Sequence, residues 1–178
     1  MNDNMTLCVK LTIENWLTIV SLIFIAVGGV FVYWQWHKSL KTKRAEFINQ
    51  ILEKLRFDQN LSKTMYVVDY NQNWYGDLFH GSELEVSIDK LFSYIDYICY
   101  LKLTGNISTT EFKIFQYEIN RICVSGSSKR YLWNLYHFSK KNKTNCSFQY
   151  LIDYGIDYKI FPNDFKENES LYTKALNW

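Results

Sequence analysis

The chain has 178 residues, a formal net charge of +2, aromatic residues at 18% of positions and a single proline, Pro162. This composition excludes a linker or a disordered tail, which would be rich in proline, glycine and charge and poor in aromatics. The near-balanced charge gives no basis for nucleic acid as a general partner.

In chain order, residues 1–14 read as a short polar lead with one lysine, Lys10. From Trp16 to Trp36 the chain is apolar, and no charged residue lies between Glu14 and His37. At 1.5 Å per residue that length crosses a hydrocarbon core of roughly 30 Å. Trp16, Tyr33, Trp34 and Trp36 lie at its ends, where amphipathic rings favour the membrane–water interface. The run ends in Tyr33-Trp34-Gln35-Trp36, unlike the small-residue cleavage site of a secretory signal. Residues 15–37 are therefore expected to form an uncleaved transmembrane helix, with the lipid bilayer as first partner. Lys38, Lys41, Lys43 and Arg44 follow it, against Lys10 before it, which predicts an outward N-terminus and a cytoplasmic C-terminal domain. Ser21, Ala26, Gly28 and Gly29 offer small residues for close helix approach, but no Gly-x-x-x-Gly is present. A single span encloses no pore, so a membrane-disrupting role requires an oligomer.

Residues 38–158 read as an all-α cytoplasmic bundle. Phe47, Ile48, Ile51, Leu52 and Leu55 mark one face of an amphipathic helix that continues the anchor. A short helix is predicted over Gln59–Asp69, followed by a loop over Asn71–Gly81. Ser82 and Glu85 form a capping signal that opens a five-turn helix carrying Ile88, Leu91, Phe92, Ile95 and Cys99, and Gly105-Asn106 closes it. Ser108 and Glu111 signal the next helix, with Phe112, Phe115, Ile119 and Ile122. Ser125–Ser128 reads as a break before a helix over Lys129–Lys140, and Phe148–Ile156 as one short helical turn. Residues 159–178 read as a polar, loosely ordered C-terminal tail. No strand period is sustained, so the stripes pack on one another as a helical bundle.

Several residues are candidates for chemistry or binding. Cys8, Cys99, Cys123 and Cys146 include no Cys-x-x-Cys pair and read as reduced, structural thiols. His80 and Glu83 are too few for a metal site, and no phosphate-binding glycine loop, nucleophile elbow or kinase signature is present, so neither metal nor cofactor is expected. Asp96 falls in the most apolar helix, either on its solvated face or paired inside, with Arg121 as one partner. Trp74, Tyr75 and Phe79 cluster in the longest loop, as an exposed partner surface or as a lid folded back on the bundle. Arg130 and His137 stand two helical turns apart. That Arg, six residues, His spacing resembles the motif of the HEPN ribonucleases, where the pair acts on a phosphodiester across a dimer. Tyr131 stands where that family often carries a polar residue, and a surface Arg/His pair is the competing reading.

Arg44-Ala45-Glu46-Phe47-Ile48, His80-Gly81-Ser82-Glu83-Leu84-Glu85 and Phe115-x-Tyr117 resemble a group of uncharacterised bacterial single-pass membrane proteins with an all-helical cytoplasmic domain of unknown function. The resemblance implies a protein of the bacterial inner membrane and carries over no activity. Small proteins of this build also occur among bacterial stress and phage-defence effectors. The expected function is a membrane-anchored interaction or effector module that engages a protein partner or a second copy. The alternatives are a ribonuclease using Arg130 and His137, and an oligomer that disrupts the membrane.

Overall fold

The computed structural model describes residues 13–71 and 73–172. Cys8, Lys10 and the rest of the lead before Ile13, with the last residues of the tail, lie outside them. The described residues form six helices and no strand. They are α1 Ile13–Phe57, α2 Gln59–Tyr70, α3 Glu83–Leu103, α4 Thr109–Val124, α5 Gly126–Asn142 and α6 Gln149–Asp157. The protein is all-α, as its periodicities predict. Two compact units divide it between Phe47 and Ile48.

The first unit holds most of α1. This helix is long and apolar enough to cross a membrane, and none of its apolar window is buried within the chain. Leu22, Phe24, Ile25 and Val32 point outward with more than half their surface exposed. Tyr33 stacks on His37, and the Lys38 ammonium lies 5.5 Å from the centre of the Trp34 ring. Such cation–π contact suits a lysine whose stem lies along an aromatic belt.

The second unit is a bundle centred on α3, which packs against α2, α4 and α6. Ile88, Leu91, Phe92, Ile95 and Ile98 on α3 are fully buried. The end of α1 belongs to this unit. Ile48, Ile51 and Leu55 enter the core, Tyr94 donates to the Ile51 carbonyl at 2.9 Å, and Arg56 pairs with buried Glu118 on α4 at 3.0 Å. The compact unit therefore begins ten residues after the predicted bundle boundary at Lys38.

Helix starts follow side-chain chemistry. Asp58 accepts from the Asn60 and Leu61 amides and opens α2. Ser82 accepts from Glu85 N at the start of α3, and Ser108 with Glu111 completes a reciprocal capping box at α4. Gly105 takes φ +74° just after α3, the left-handed stop that glycine adopts without a Cβ clash. The break expected over Ser125–Ser128 is confined to Ser125. Ser125 ends α4 and caps α5, while Ser127 and Ser128 form the buried first turn of α5.

Helix α6 has no side-chain cap of its own. Asp96 supplies one from α3, accepting from Leu151 N at 2.8 Å and from the Tyr150 amide. The sequence reading of Asp96 is corrected here. It is not paired with Arg121, which binds Asp69 instead, and it is half-buried rather than freely solvated. Burial raises the Asp96 carboxyl to about 6, the two amides offset part of that cost, and the nearby Asp153 charge adds to it.

The expected loose tail is also corrected over its described part. Phe161 and Phe165 are buried and stack on each other, the Ile160 and Phe161 amides both donate to the Gly155 carbonyl, and Lys166 pairs with Asp153. The chain turns back because Lys159 adopts φ +56° and Gly155 leaves room for the Phe161 ring.

Two predictions follow from these contacts. A Cβ at Gly155 would meet the Phe161 ring at 2.5 Å, whereas one at Gly126 would meet nothing within 4 Å. Gly155→Ala is expected to lower the stability of the full chain in detergent by about 1–3 kcal/mol, against a near-neutral Gly126→Ala, read by chemical unfolding. The raised Asp96 favours the fold fully below its ordinary value of 3.8 and loses that contribution as pH rises through about 6. Asp96→Asn keeps an acceptor for Leu151, so its unfolding midpoint should fall less than that of the parent chain as pH rises through that window.

Candidate functional site

The loop aromatics turn inward. Trp74, Tyr75 and Phe79 are 4%, 3% and 3% exposed, so they form no partner surface. They close over α3 and α5 in an aromatic cluster with Phe92 and Tyr131, ring centres 5.1–6.2 Å apart. Offset and edge-on packing of this kind suits the ring quadrupoles. The buried hydroxyls are matched: Tyr131 donates to Asp89 at 2.6 Å, and Asn134 donates to Tyr75 at 2.7 Å. His80 meets Glu85 at 2.8 Å, not Glu83, and Glu85 also accepts from Gly81 N. Among the described residues no group of three His, Cys, Asp or Glu stands close enough to hold a metal ion.

Arg130 and His137 lie on α5 but serve different segments. His137 is 5% exposed, packs 4.5 Å from the Trp133 ring and meets the Phe165 carbonyl through Nε2 at 3.2 Å. It is thus covered by the folded part of the tail and forms no surface Arg/His pair. Arg130 instead reaches the Tyr75 carbonyl and the Ser127 hydroxyl, both at the long distance of 3.4 Å. The described thiols are free, and burial pushes all three upward, Cys123 to about 12. Protonated thiols are poor nucleophiles.

Besides an open groove of about 810 Å³ between α1, α2 and α3, lined by Lys54, Asp89, Lys90 and Tyr97, two clefts within the bundle are candidates. One, of about 420 Å³, lies between α3, α6 and the segment after α6. Both of its lysines are already engaged. The Lys102 ammonium donates to Tyr158 at 2.6 Å and sits over the Phe112 and Tyr158 rings, and Lys166 binds Asp153. The other is an open groove of about 810 Å³ between α2, α4 and the start of α5. Its walls carry Asp69, Tyr117, Arg121, Val124, Gly126 and Arg130.

This groove is where binding chemistry is exposed. On α4, Tyr117, Asn120, Arg121 and Val124 share one face by their spacing of three and four. Tyr117 is 68% exposed and Val124 63%. Asp69 on α2 pairs with Arg121, whose guanidinium also lies 5.3 Å from the Tyr117 ring centre. Tyr66 and Tyr70 stack at 6.0 Å elsewhere on α2 and are likewise exposed, but neither lines the groove. Tyrosine and arginine are the residues that dominate binding hot spots. The sequence reading passed over this set because a mixed polar face at helical spacing looks like any solvated helix surface. Its one distinguishing signal is a tyrosine, Tyr117, four residues before an arginine on the same helix.

The buried aromatics and the exposed ones make opposite predictions. Trp74→Ala or Phe79→Ala should destabilise the full chain by about 3–5 kcal/mol, as core truncations do. Tyr117→Ser or Tyr70→Ser should change stability by less than about 0.5 kcal/mol. Thermal unfolding followed by tryptophan fluorescence separates the two classes. Compared with known proteins, the chain matches no family model, no curated protein and no solved structure.

Proposed function

We propose that this chain is a single-pass protein of the bacterial cytoplasmic membrane whose helical domain works as an interaction or effector module. The observation that carries the reading is the exposed tyrosine–arginine groove on α2, α4 and α5, in a domain joined to a helix long and apolar enough to span a bilayer. In this reading the N-terminus faces outward and the domain faces the cytoplasm, because Lys38, Lys41, Lys43 and Arg44 follow the apolar segment. The anchor raises the domain's concentration at the membrane, and the groove recruits a protein partner there. Stress response or phage defence is the setting in which such a build would act as an effector. The covered His137 supports an interaction role over ribonuclease chemistry, since a general base must reach the proton it removes.

Growth and membrane potential after induction in a bacterial host test the reading. The forms to compare are the intact chain, the chain lacking its apolar segment, and the intact chain with Tyr117→Ser and Val124→Ser. Arrest or recruitment that needs both anchor and groove supports the module. Loss of potential that needs the anchor and ignores the groove changes points instead to a membrane-disrupting oligomer. Cleavage of cellular RNA by the anchorless form, lost with Arg130→Lys, overturns the module in favour of the ribonuclease. Orientation has its own readout. A fluorescent protein fused after Trp178 should fold and emit, whereas an alkaline phosphatase at the same point should stay inactive. Changing Lys38, Lys41, Lys43 and Arg44 to glutamine should weaken that bias.

A further inference from the structure

We infer that the α2/α4/α5 groove binds an acidic peptide segment of a partner protein, one carboxylate meeting Arg130 and a neighbouring apolar side chain resting on Tyr117 and Val124; this rests on the interaction-module reading.

The charge of the groove selects the ligand class. Its walls carry two arginines against one aspartate. Asp69 already neutralises Arg121, so that pair contributes a polar floor more than a net charge. Among the described residues Arg130 meets the Tyr75 carbonyl and the Ser127 hydroxyl, both neutral acceptors, and each contact is long at 3.4 Å. A planar guanidinium so placed keeps donors for a carboxylate, which it binds through two parallel hydrogen bonds. The first turn of α5, which also borders the groove, carries no acidic residue to compete for the same position.

The apolar part of the groove selects the rest. Tyr117 stands two turns before the end of α4, Val124 is its last residue, and both are largely exposed. A Leu, Phe or Trp beside the carboxylate would cover Val124 and the face of Tyr117, and aromatic and aliphatic anchors of this kind carry most of the energy in small interfaces. One unneutralised arginine is too little to hold a polyanion, whose binding depends on several phosphate contacts. The groove therefore fits a short segment with one or two Asp or Glu residues next to an apolar anchor.

The test uses the full chain in lipid nanodiscs and a displayed library of random 12-residue peptides. Selection should enrich peptides that pair Asp or Glu with Leu, Phe or Trp. A fluorescein-labelled synthetic copy of the most enriched peptide is then titrated by anisotropy. Arg130→Gln should weaken it about tenfold, Tyr117→Ser with Val124→Ser by a similar factor, and Arg130→Lys by less. Tyr97→Ser, at an exposed tyrosine on α3 outside the groove, should leave it unchanged. Circular dichroism of each variant confirms that the fold is intact. Enriched peptides without acidic residues, or acidic ones indifferent to Arg130 and Tyr117, overturn the groove assignment while leaving a binding module in place. No enrichment over empty nanodiscs overturns both. Self-association abolished by the Tyr117 and Val124 changes makes a second copy the occupant and overturns the peptide partner.

Discussion

Burial of the Tyr131 ring is the constraint on which the helical domain depends. Its side chain stands between Trp74, Tyr75, Phe79 and Phe92, so it joins α5, α3 and the loop between α2 and α3 into one core. A hydroxyl taken so deep needs an acceptor, and Asp89 supplies it. Asp89 is itself strained by the arrangement, since burial raises its carboxyl and the Tyr131 hydrogen bond only partly offsets that. The domain accepts one costly carboxylate so that five large rings can pack around a satisfied Tyr131 hydroxyl, while the Trp74 Nε1–H stays buried with no acceptor among the described residues. Asp96 repeats the same exchange at the other end of α3, where a half-buried acid holds the first amides of α6. The central helix is thus apolar along its core face and carries an acid for α5 and another for α6.

Much of this was legible in the sequence, and the failures have physical causes. Helices α2, α3 and α4 follow from apolar residues at spacings of three and four and from the caps at Ser82 and Ser108. The start of α5 was misplaced because Ser125-Gly126-Ser127-Ser128 has the composition of a loop. The same residues suit a cap and a first turn, and only burial of Ser127 and Ser128 tells the two apart. Trp74, Tyr75 and Phe79 lie in irregular chain, where no period says which way a ring faces. Phe161 and Phe165 are two aromatics in a polar stretch, too few to make a pattern. Their clue was Gly155 inside an apolar helix, the space left for a ring. Long-range partners such as Asp96 with α6 and Arg121 with Asp69 cannot be read from local spacing at all.

The two clefts show how similar compositions reach different ends. Both hold basic and acidic residues beside tyrosines. In the cleft beside α6, the aromatic rings and the Tyr158 hydroxyl are already occupied by Lys102, and Asp153 is taken by Lys166. That cleft spends its polar groups on fastening the returning tail to the bundle. In the groove on α4 the ion pair uses one arginine, the second meets two distant neutral acceptors, and the Tyr117 ring faces outward. Lining residues alone do not separate a structural cleft from a binding one; what separates them is which hydrogen-bonding and apolar capacity is left over.

Ser125 ends α4 and begins α5 with no residue between them. A single pair of backbone angles, φ −56° and ψ 127°, therefore sets the angle between the two helices that wall the groove. Insertions and deletions that a longer connection would absorb have nowhere to go at this corner. One added residue would turn α5 by about 100° about its axis and carry Arg130 and Tyr131 off their faces together. The groove and the aromatic core are in this sense one inheritance. A lineage carrying this fold can vary the length of its longer loops, but at Ser125, as at Asp58 between α1 and α2, it can change only the side chain.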